Sequence, residues 1–304
     1  MRIILIGQAA FAEKTLDKLV SKAEEVLAVF CFPDSPGGKI DPVKQRALQL
    51  GIPVHQHKTL KTPEVTEQFV SLKADLAILA FVSQIIPPPV FSAPRFGSIC
   101  YHPSLLPKYR GRTAINWALI RGETVTGLTI FWLDKGIDTG PILLQKEVQV
   151  APDDTTGTLY FSKLFPLGIE AIAEAVDLIK AGNPPRIAQD ESKATYDPPC
   201  GDEHAKIDWK KPAQEVYNLI RGCDPQPGAH TTHNGRMVRL FDARLQKGAN
   251  SASAGQVTGI GSEDIAIALN GGTLSVRRMR GDGGKITAAQ FAEQGDLSIG
   301  AQLG

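Results

Sequence analysis

The sequence predicts a doubly wound α/β fold with a mostly parallel sheet, followed by a smaller antiparallel β-barrel domain. Three observations predict it. Short, almost continuously apolar runs alternate with amphipathic stretches over the first part of the chain, as in "RIILIG", "VLAVFCF" and "DLAILAF", the pattern of strands buried on both faces. The texture changes near residue 188, where "DESKATYDPPCGDEH" is polar and rich in turn formers. Beyond it, short alternating runs are separated by glycines, as in a small antiparallel barrel.

The elements follow in order. Residues 2–7 read as a buried strand closed by Gly7, and residues 11–20 carry apolar positions at helical spacing. A second strand covers 26–32, and "PDSPGGKIDP" is turn chemistry. Asp41-Pro42 suits an N-cap followed by a first-turn proline, opening a helix that runs to Leu50. "IPVH", a helix near 63–72 and the apolar run 75–81 continue the alternation. Residues 97–102, 127–134 and 140–150 read as later strands, with a helix over 114–120. "TTGTLYFSKLFPLGIEAIAEAVDLIKAG" is a long helical pattern, bent or broken around Pro166 and ending at Gly182. In the second domain "PAQEVYNLIRGC" is a short helix, and "MVRLFDARL", "GQVTGI", "IAIAL" and "TLSVRRM" are strands, with Asn270-Gly271 between two of them. The predicted domains are 1–200, Rossmann-like, and 201–304, OB-like.

Composition narrows the function classes. Lys+Arg 33 against Asp+Glu 32 leaves a formal charge of +1, which argues against a dominant nucleic-acid footprint. The four cysteines, Cys31, Cys100, Cys200 and Cys223, are scattered with no CxxC pair, so reduced thiols in a cytoplasmic protein are expected, with no metal site. The start "MRIILIG" is too short in apolar residues for a signal peptide, and no apolar run is long enough for a membrane span.

Three stretches are candidates for chemistry. Gly7 stands where dinucleotide folds carry their glycine-rich turn, but "GQAAFA" lacks the second and third glycines of GxGxxG, so an ordinary strand-end turn is the better reading. His102 stands where a strand ends in a loop, the place where ligands of open α/β sheets collect, and Pro103 and Pro107 stiffen its surroundings. A surface or capping histidine is the plainer alternative. In "LDKGIDTG" two carboxylates, Asp134 and Asp138, sit in a glycine-bounded loop between apolar strands. They are either capping aspartates of a turn or partners for His102, where a carboxylate would favour a charged or strongly donating ring.

Taken together, "HPSLLPKYRGRTAINWALIRGE", "GLTIFWLDKGIDTGPILLQ" and "IDWKKPAQEVYNLIRGCDPQPGAH" resemble the 10-formyltetrahydrofolate-dependent formyltransferase family over nearly the whole chain. Within that family the sequence looks most like the amino-terminal hydrolase domain of 10-formyltetrahydrofolate dehydrogenase, with the methionyl-tRNA formyltransferases as relatives. The resemblance implies a folate carrying a formyl group on N10 as donor substrate, with no metal and no NAD(P). It implies His102 and Asp138 as catalytic residues, with Gln84, Ile85 and Ile86, alongside Asp138, contacting the folate. Backbone groups of 84–86 would read the pterin edge while the apolar side chains wall the ring.

Two departures bear on the acceptor. The transferases usually carry Asn two residues before the histidine, whereas this chain has Cys100. The hydrolase domain also lacks that Asn and has an aliphatic residue in its place. A thiol is a weak donor for an oxyanion, and Cys100 is expected to be an inert, buried thiol. The connection after the second strand, "FPDSPGGKIDPVK", is short and nearly charge-balanced, unlike the longer basic loop of enzymes that act on tRNA. Arg110, Arg112, Lys108 and Arg121 near the site, and the "RRMR" of 277–280, are the remaining cationic groups of note. The expected activity is therefore hydrolysis of 10-formyltetrahydrofolate. Transfer to methionyl-tRNA or an amino sugar is the first alternative, and a folate-binding module with weak catalysis the second.

Overall fold

A computed structural model describes residues 1–34, 37–82, 84–295 and 297–304. The first stretch runs β1 (Arg2–Gly7), α1 (Ala9–Ser21), β2 (Glu25–Cys31), α2 (Pro42–Gln49), β3 (Val54–Gln56), α3 (Pro63–Ser71), β4 (Leu76–Ala80), α4 (Pro88–Phe91) and β5 (Ser98–His102). It continues with α5 (Ala114–Ile120), β6 (Val125–Trp132), β7 (Ile142–Gln149), α6 (Thr156–Leu159), a π-turn (Tyr160–Leu164) and α7 (Phe165–Lys180). The last part holds α8 (Ala213–Gly222), β8 (Ala229–His233), β9 (Arg236–Lys247), β10 (Val257–Ile260), β11 (Ile265–Leu269), β12 (Gly272–Arg280), β13 (Ile286–Thr287) and α9 (Ala288–Gln294). The chain divides into two compact units, Met1–Arg112 with Gly127–Val148 and Ser162–Tyr196, and Thr113–Thr126 with Gln149–Phe161 and Asp197–Gly304.

In the first unit the sheet order is β3-β2-β1-β4-β5-β6-β7. The pairs β2/β3, β1/β2, β1/β4 and β4/β5 are parallel, and β5/β6 is antiparallel. Every residue of β4 is buried, as its unbroken apolar run requires of a central parallel strand. The second unit is all antiparallel, in the order β10-β11-β12-β9-β8 with β13 on β12. Its alternation is visible across one pair, where the fully buried Ile265 and Ile267 lie opposite the fully buried Val276 and Leu274. Asn270 and Gly271 form the two-residue connection of that hairpin, with Gly271 at φ +95°.

Local signals explain the element boundaries. Asp41 caps α2 by accepting from the Val43 amide at 2.9 Å, as Asp41-Pro42 predicts. The turn expected over 33–42 includes Ser35 and Pro36, which lie outside the described residues. The long helical pattern is interrupted before its proline. Tyr160–Leu164 form a π-turn, and Pro166 stands in the first turn of α7, where its missing N–H costs nothing. Gly168 lets α7 come close to the sheet, because a Cβ there would lie 2.5 Å from the Tyr101 ring and 3.0 Å from Phe11.

The glycine that closes β1 has a packing role. A Cβ on Gly7 would meet the Ala80 carbonyl oxygen at 2.4 Å. The amide that opens α1, that of Ala9, donates to both carboxylate oxygens of Asp41 at 3.0 Å each. A side-chain carboxylate thus occupies the place where a nucleotide-binding sheet would hold a phosphate.

Glu24 supplies one strongly pH-linked contact of this unit. Burial pushes its carboxyl up, but hydrogen bonds from Lys180 (2.6 Å) and the amino terminus (2.7 Å) outweigh burial and hold it below the usual glutamate value. A carboxyl lowered on folding contributes stability above its unfolded value, and that contribution is lost as pH falls through the folded one. Glu24→Gln is therefore expected to be less stable than the parent at pH 7, with the two denaturation midpoints converging as pH falls below about 4. Urea midpoints measured at several pH values check this, and a constant difference from neutral to acid would refute it.

Candidate active site

β5 ends at His102, whose ring is buried with 7% of its side chain exposed. The Nε2–H donates to the Tyr109 carbonyl oxygen at 2.8 Å. That bond fixes which ring nitrogen carries the proton in the neutral form and turns the other, Nδ1, outward. The 103–111 segment that follows is a compact loop. Ser104 Oγ donates to the Lys108 carbonyl at 2.7 Å, and Tyr109 and Gly111 have φ of +59° and +106°. Its tight winding brings the carbonyl of Tyr109 back onto the histidine.

Asp138 approaches from the loop between β6 and β7. Its Oδ2 accepts from the Gly111 amide at 2.8 Å and lies 3.6 Å from His102 Nδ1. The second separation is too long for a direct hydrogen bond. Asp134 does different work. Its Oδ1 accepts from the Gly136 amide (2.9 Å) and the Thr139 hydroxyl (2.7 Å), closing the turn from within. Of the two carboxylates in "LDKGIDTG", one caps the turn and the other faces the histidine.

Asp138 reaches His102 from the neighbouring strand, with α5 between the two strands in sequence. β5 and β6 are adjacent but antiparallel, with His102 opposite Thr129 and Ile99 opposite Trp132. The chain therefore leaves β6 level with the start of β5, and the loop has to lean back for its carboxylate to reach the ring. Asp138 itself adopts φ +55°.

The three residues expected at the folate are placed differently from one another. Gln84 joins Phe30, His57, Leu60, Phe81 and Val82 around a mainly apolar cleft at the carboxyl ends of β1, β2 and β4. Its side-chain amide donates to the Lys58 carbonyl at 2.7 Å. Ile86 is buried in the core beneath the sheet edge, and Ile85 is 60% exposed. Their side chains do not form one wall, so the apolar surface in this region comes from the phenylalanines and Val82. The sequence reading also passed over Tyr109 and Gly111, which act through backbone groups. The positive-φ glycine after "KYR" is the one signal that could have pointed there.

Cys100 lies on β5, two residues before the histidine, and packs against the cluster that holds Ile86 and Leu79. Burial, with a smaller contribution from the Asp138 charge, pushes its thiol well above the ordinary cysteine value. Cys31 is likewise pushed up, to about 11, mainly by burial. All four cysteines are free, and Cys200 and Cys223 share a thiol hydrogen bond in the core of the second unit. Among the described residues no group of three or more His, Cys, Asp or Glu side chains is arranged to hold a metal ion, and no helix is long and apolar enough to cross a membrane.

The chain belongs to the formyl transferase family. The formyl transferase profile matches residues 1–175, and the formyl transferase C-terminal domain profile matches 201–295. Cytosolic 10-formyltetrahydrofolate dehydrogenase of Xenopus laevis is 39% identical over 315 residues, covering 97% of this chain and 34% of that protein. Methionyl-tRNA formyltransferase of Trichlorobacter lovleyi is 39% identical over 308 residues, covering 99% of this chain and 96% of that one. The chain thus spans about a third of the length of the dehydrogenase and nearly all of the transferase. Among solved structures, HypX from Aquifex aeolicus in complex with tetrahydrofolic acid has the same fold, with a TM-score of 0.73 at 19% identity over 98% of this chain and 48% of that one.

A raised thiol pKa leaves little thiolate to react. Iodoacetamide at pH 8 is expected to modify Cys100 in the folded protein at least about tenfold more slowly than after unfolding. Peptide mapping of the alkylated site reads this, and rapid stoichiometric labelling of Cys100 in the native protein would show an activated thiol instead.

Proposed function

We propose that this chain removes the formyl group of 10-formyltetrahydrofolate, with water as the acceptor, releasing tetrahydrofolate and formate. The observation that supports the reading most is the relation of His102 to Asp138. Their facing atoms are 3.6 Å apart, each ring and carboxylate is anchored from behind by a backbone group, and neither is used up by the other. A small molecule within hydrogen-bond reach of both atoms would sit beside that gap, where a water or a formyl oxygen belongs.

In this reading Asp138 orients the water and takes its proton as the oxygen attacks the formyl carbon. The carbonyl oxygen becomes an oxyanion. His102, its Nε2–H held on Tyr109, donates to the oxyanion from Nδ1 in the imidazolium form. Collapse breaks the bond from carbon to N10, N10 takes the proton held on Asp138, and formic acid leaves and gives up its remaining proton to solvent as formate. No hydride moves, so no nicotinamide enters, and the two side chains serve without a metal. The cleft beside Gln84 suits the pterin, with flat apolar walls from Phe30 and Phe81 and the backbone of 84–86 available to read the ring edge. We assign catalysis to residues 1–200 and a carboxyl-terminal formyltransferase-type role to 201–304, and the cytoplasm as the setting, in keeping with four free thiols.

A second reading, transfer to the amino group of methionyl-tRNA or of an amino sugar, is supported by the end-to-end similarity to a methionyl-tRNA formyltransferase. Cys100 weighs toward water. An asparagine amide there would supply an oxyanion donor, whereas the Cys100 thiol, half-buried and not fully buried as expected, supplies a poor one.

Tetrahydrofolate release is to be followed with water alone, and with methionyl-tRNA or an amino sugar added. Release in water alone is expected, and release that requires an amine would establish the second reading. A protein that binds the folate and releases nothing in either case is a binding module. His102→Ala is expected to lower turnover by about a hundredfold or more while folate affinity stays within about tenfold, and Asp138→Asn to cost about a hundredfold. Cys100→Ala is expected to change deformylation by less than about tenfold, or roughly 1.4 kcal/mol. A Cys100→Ala protein with no turnover would show a thiol that takes part.

A further inference from the structure

We infer that Gln189 is a positioning residue for the Asp138 carboxylate, working with Arg110 and Glu191 to hold the loop that carries it. The inference rests on the assignment of Asp138 to the reaction made above. Gln189 belongs to the extended segment after α7, about fifty residues from the loop, and no motif singles it out.

The contacts form a chain in one direction. Gln189 Nε2 donates to the carbonyl oxygens of Asp138 and Gly140, both at 2.8 Å. One amide nitrogen thus ties together two carbonyls on either side of Thr139. Gln189 Oε1 accepts from Arg110 Nε at 3.2 Å and Nη2 at 2.8 Å. A guanidinium only donates and a carbonyl only accepts, so the amide can be oriented in one way. Arg110 is in turn held by Glu191 through two parallel bonds, Nη1 to Oε2 at 2.9 Å and Nη2 to Oε1 at 2.7 Å. Its own side chain is buried, with 8% exposed.

The loop needs such a tie. Asp138 has φ +55°, a left-handed conformation that aspartate tolerates better than most residues but that is uncommon outside glycine. A Cβ at Gly140 would fall 1.7 Å from the Trp132 carbonyl oxygen, so the chain at that point runs against β6. Among the described residues the carboxylate's hydrogen bond comes from the Gly111 amide, and Gly111 directly follows Arg110. Arg110 therefore governs the carboxylate twice, through the amide of its neighbour and, by way of Gln189, through the backbone on which the carboxylate stands. Gln189 touches neither His102 nor the gap beside it. Its influence on the reaction passes through the loop alone.

Gln189→Glu separates positioning from simple packing. It keeps the volume and the acceptor for Arg110, and it replaces the donor to the two carbonyls with a carboxylate oxygen that repels them. Gln189→Ala is the companion variant, and thermal denaturation identifies which of the two folds. In a folded variant kcat is expected to fall at least about tenfold while KM changes less than about threefold, because a displaced carboxylate affects the reacting geometry more than substrate binding. In an Asp138→Asn background the same substitution should have less than about a threefold further effect, since the group it positions is already gone. A second readout does not depend on turnover. The ring 15N shifts of His102 in the substrate-free protein should move in Gln189→Glu as they do in Asp138→Asn. Unchanged His102 shifts together with unchanged kcat in a folded variant would overturn the positioning role. A parent protein that turns over no formylfolate, with His102 shifts that still respond to Gln189→Glu, would overturn the assigned reaction and leave the clamp standing.

Discussion

Asp138 stands in a left-handed backbone conformation at the tip of a loop, and the reaction proposed for this site depends on keeping its carboxylate there. Its carboxylate must face a histidine on a strand that runs opposite to the one the loop has just left. Asp134 closes the loop from within by bonding Gly136 and Thr139. Gln189 ties its backbone from outside, and Gly111 anchors the carboxylate. Three restraints, two of them joined through Arg110, act on one short loop.

The histidine is held by the same logic with fewer parts. Tyr109 offers its carbonyl to Nε2 from a residue that is itself at positive φ, next to Gly111, which serves the aspartate. A single turn, 109–111, thus anchors both catalytic candidates through its backbone. This arrangement makes the site insensitive to the side chains of the turn and sensitive to its conformation. It also leaves Nδ1 and the carboxylate 3.6 Å apart, within ion-pair range but without a direct hydrogen bond. Cys100, two residues upstream, adds no third polar group. Its thiol donates to the Tyr101 carbonyl at 3.5 Å and the residue packs against the apolar cluster, so in the proposed reaction the oxyanion falls to His102.

The parts of this molecule that were legible in the sequence are those in which one residue type has one physical role. The parallel strands were legible because burial on both faces demands unbroken apolar runs, as in β4. Asp41-Pro42 marked the start of α2 because only a capping side chain and a residue lacking N–H suit those two positions. His102 was legible as a polar group at a strand end, and Asp134 and Asp138 as two carboxylates in a glycine-bounded loop, without a residue-level sign of which of the two faces the histidine. The direction of β6 was not, because apolar runs are the same read either way. The π-turn at Tyr160–Leu164 was not, because the helical spacing drifts by only one residue. The inward turn of Ile86 was hidden by a neighbouring isoleucine of equal hydrophobicity that points outward. The meeting of Cys200 with Cys223 was hidden for the usual reason, that fold and not spacing brings such residues together.

Asp41 shows how a fold of this class can be turned away from nucleotides without altering its sheet. The carboxyl ends of the parallel strands, and the helix that opens after β1, are where such sheets hold phosphate. Here the Asp41 carboxylate reaches across from the start of α2, accepts the Ala9 amide on both oxygens and caps its own helix at Val43. A phosphate arriving at that amide would have to displace a charge already in place, and it would meet that charge at close range. Gly7 in turn is committed to close packing on β4 and offers no flexible cradle. In the proposed function the apolar cleft beside Gln84 takes the flat, largely uncharged ring, and the polar work falls to the end of β5, beside β4.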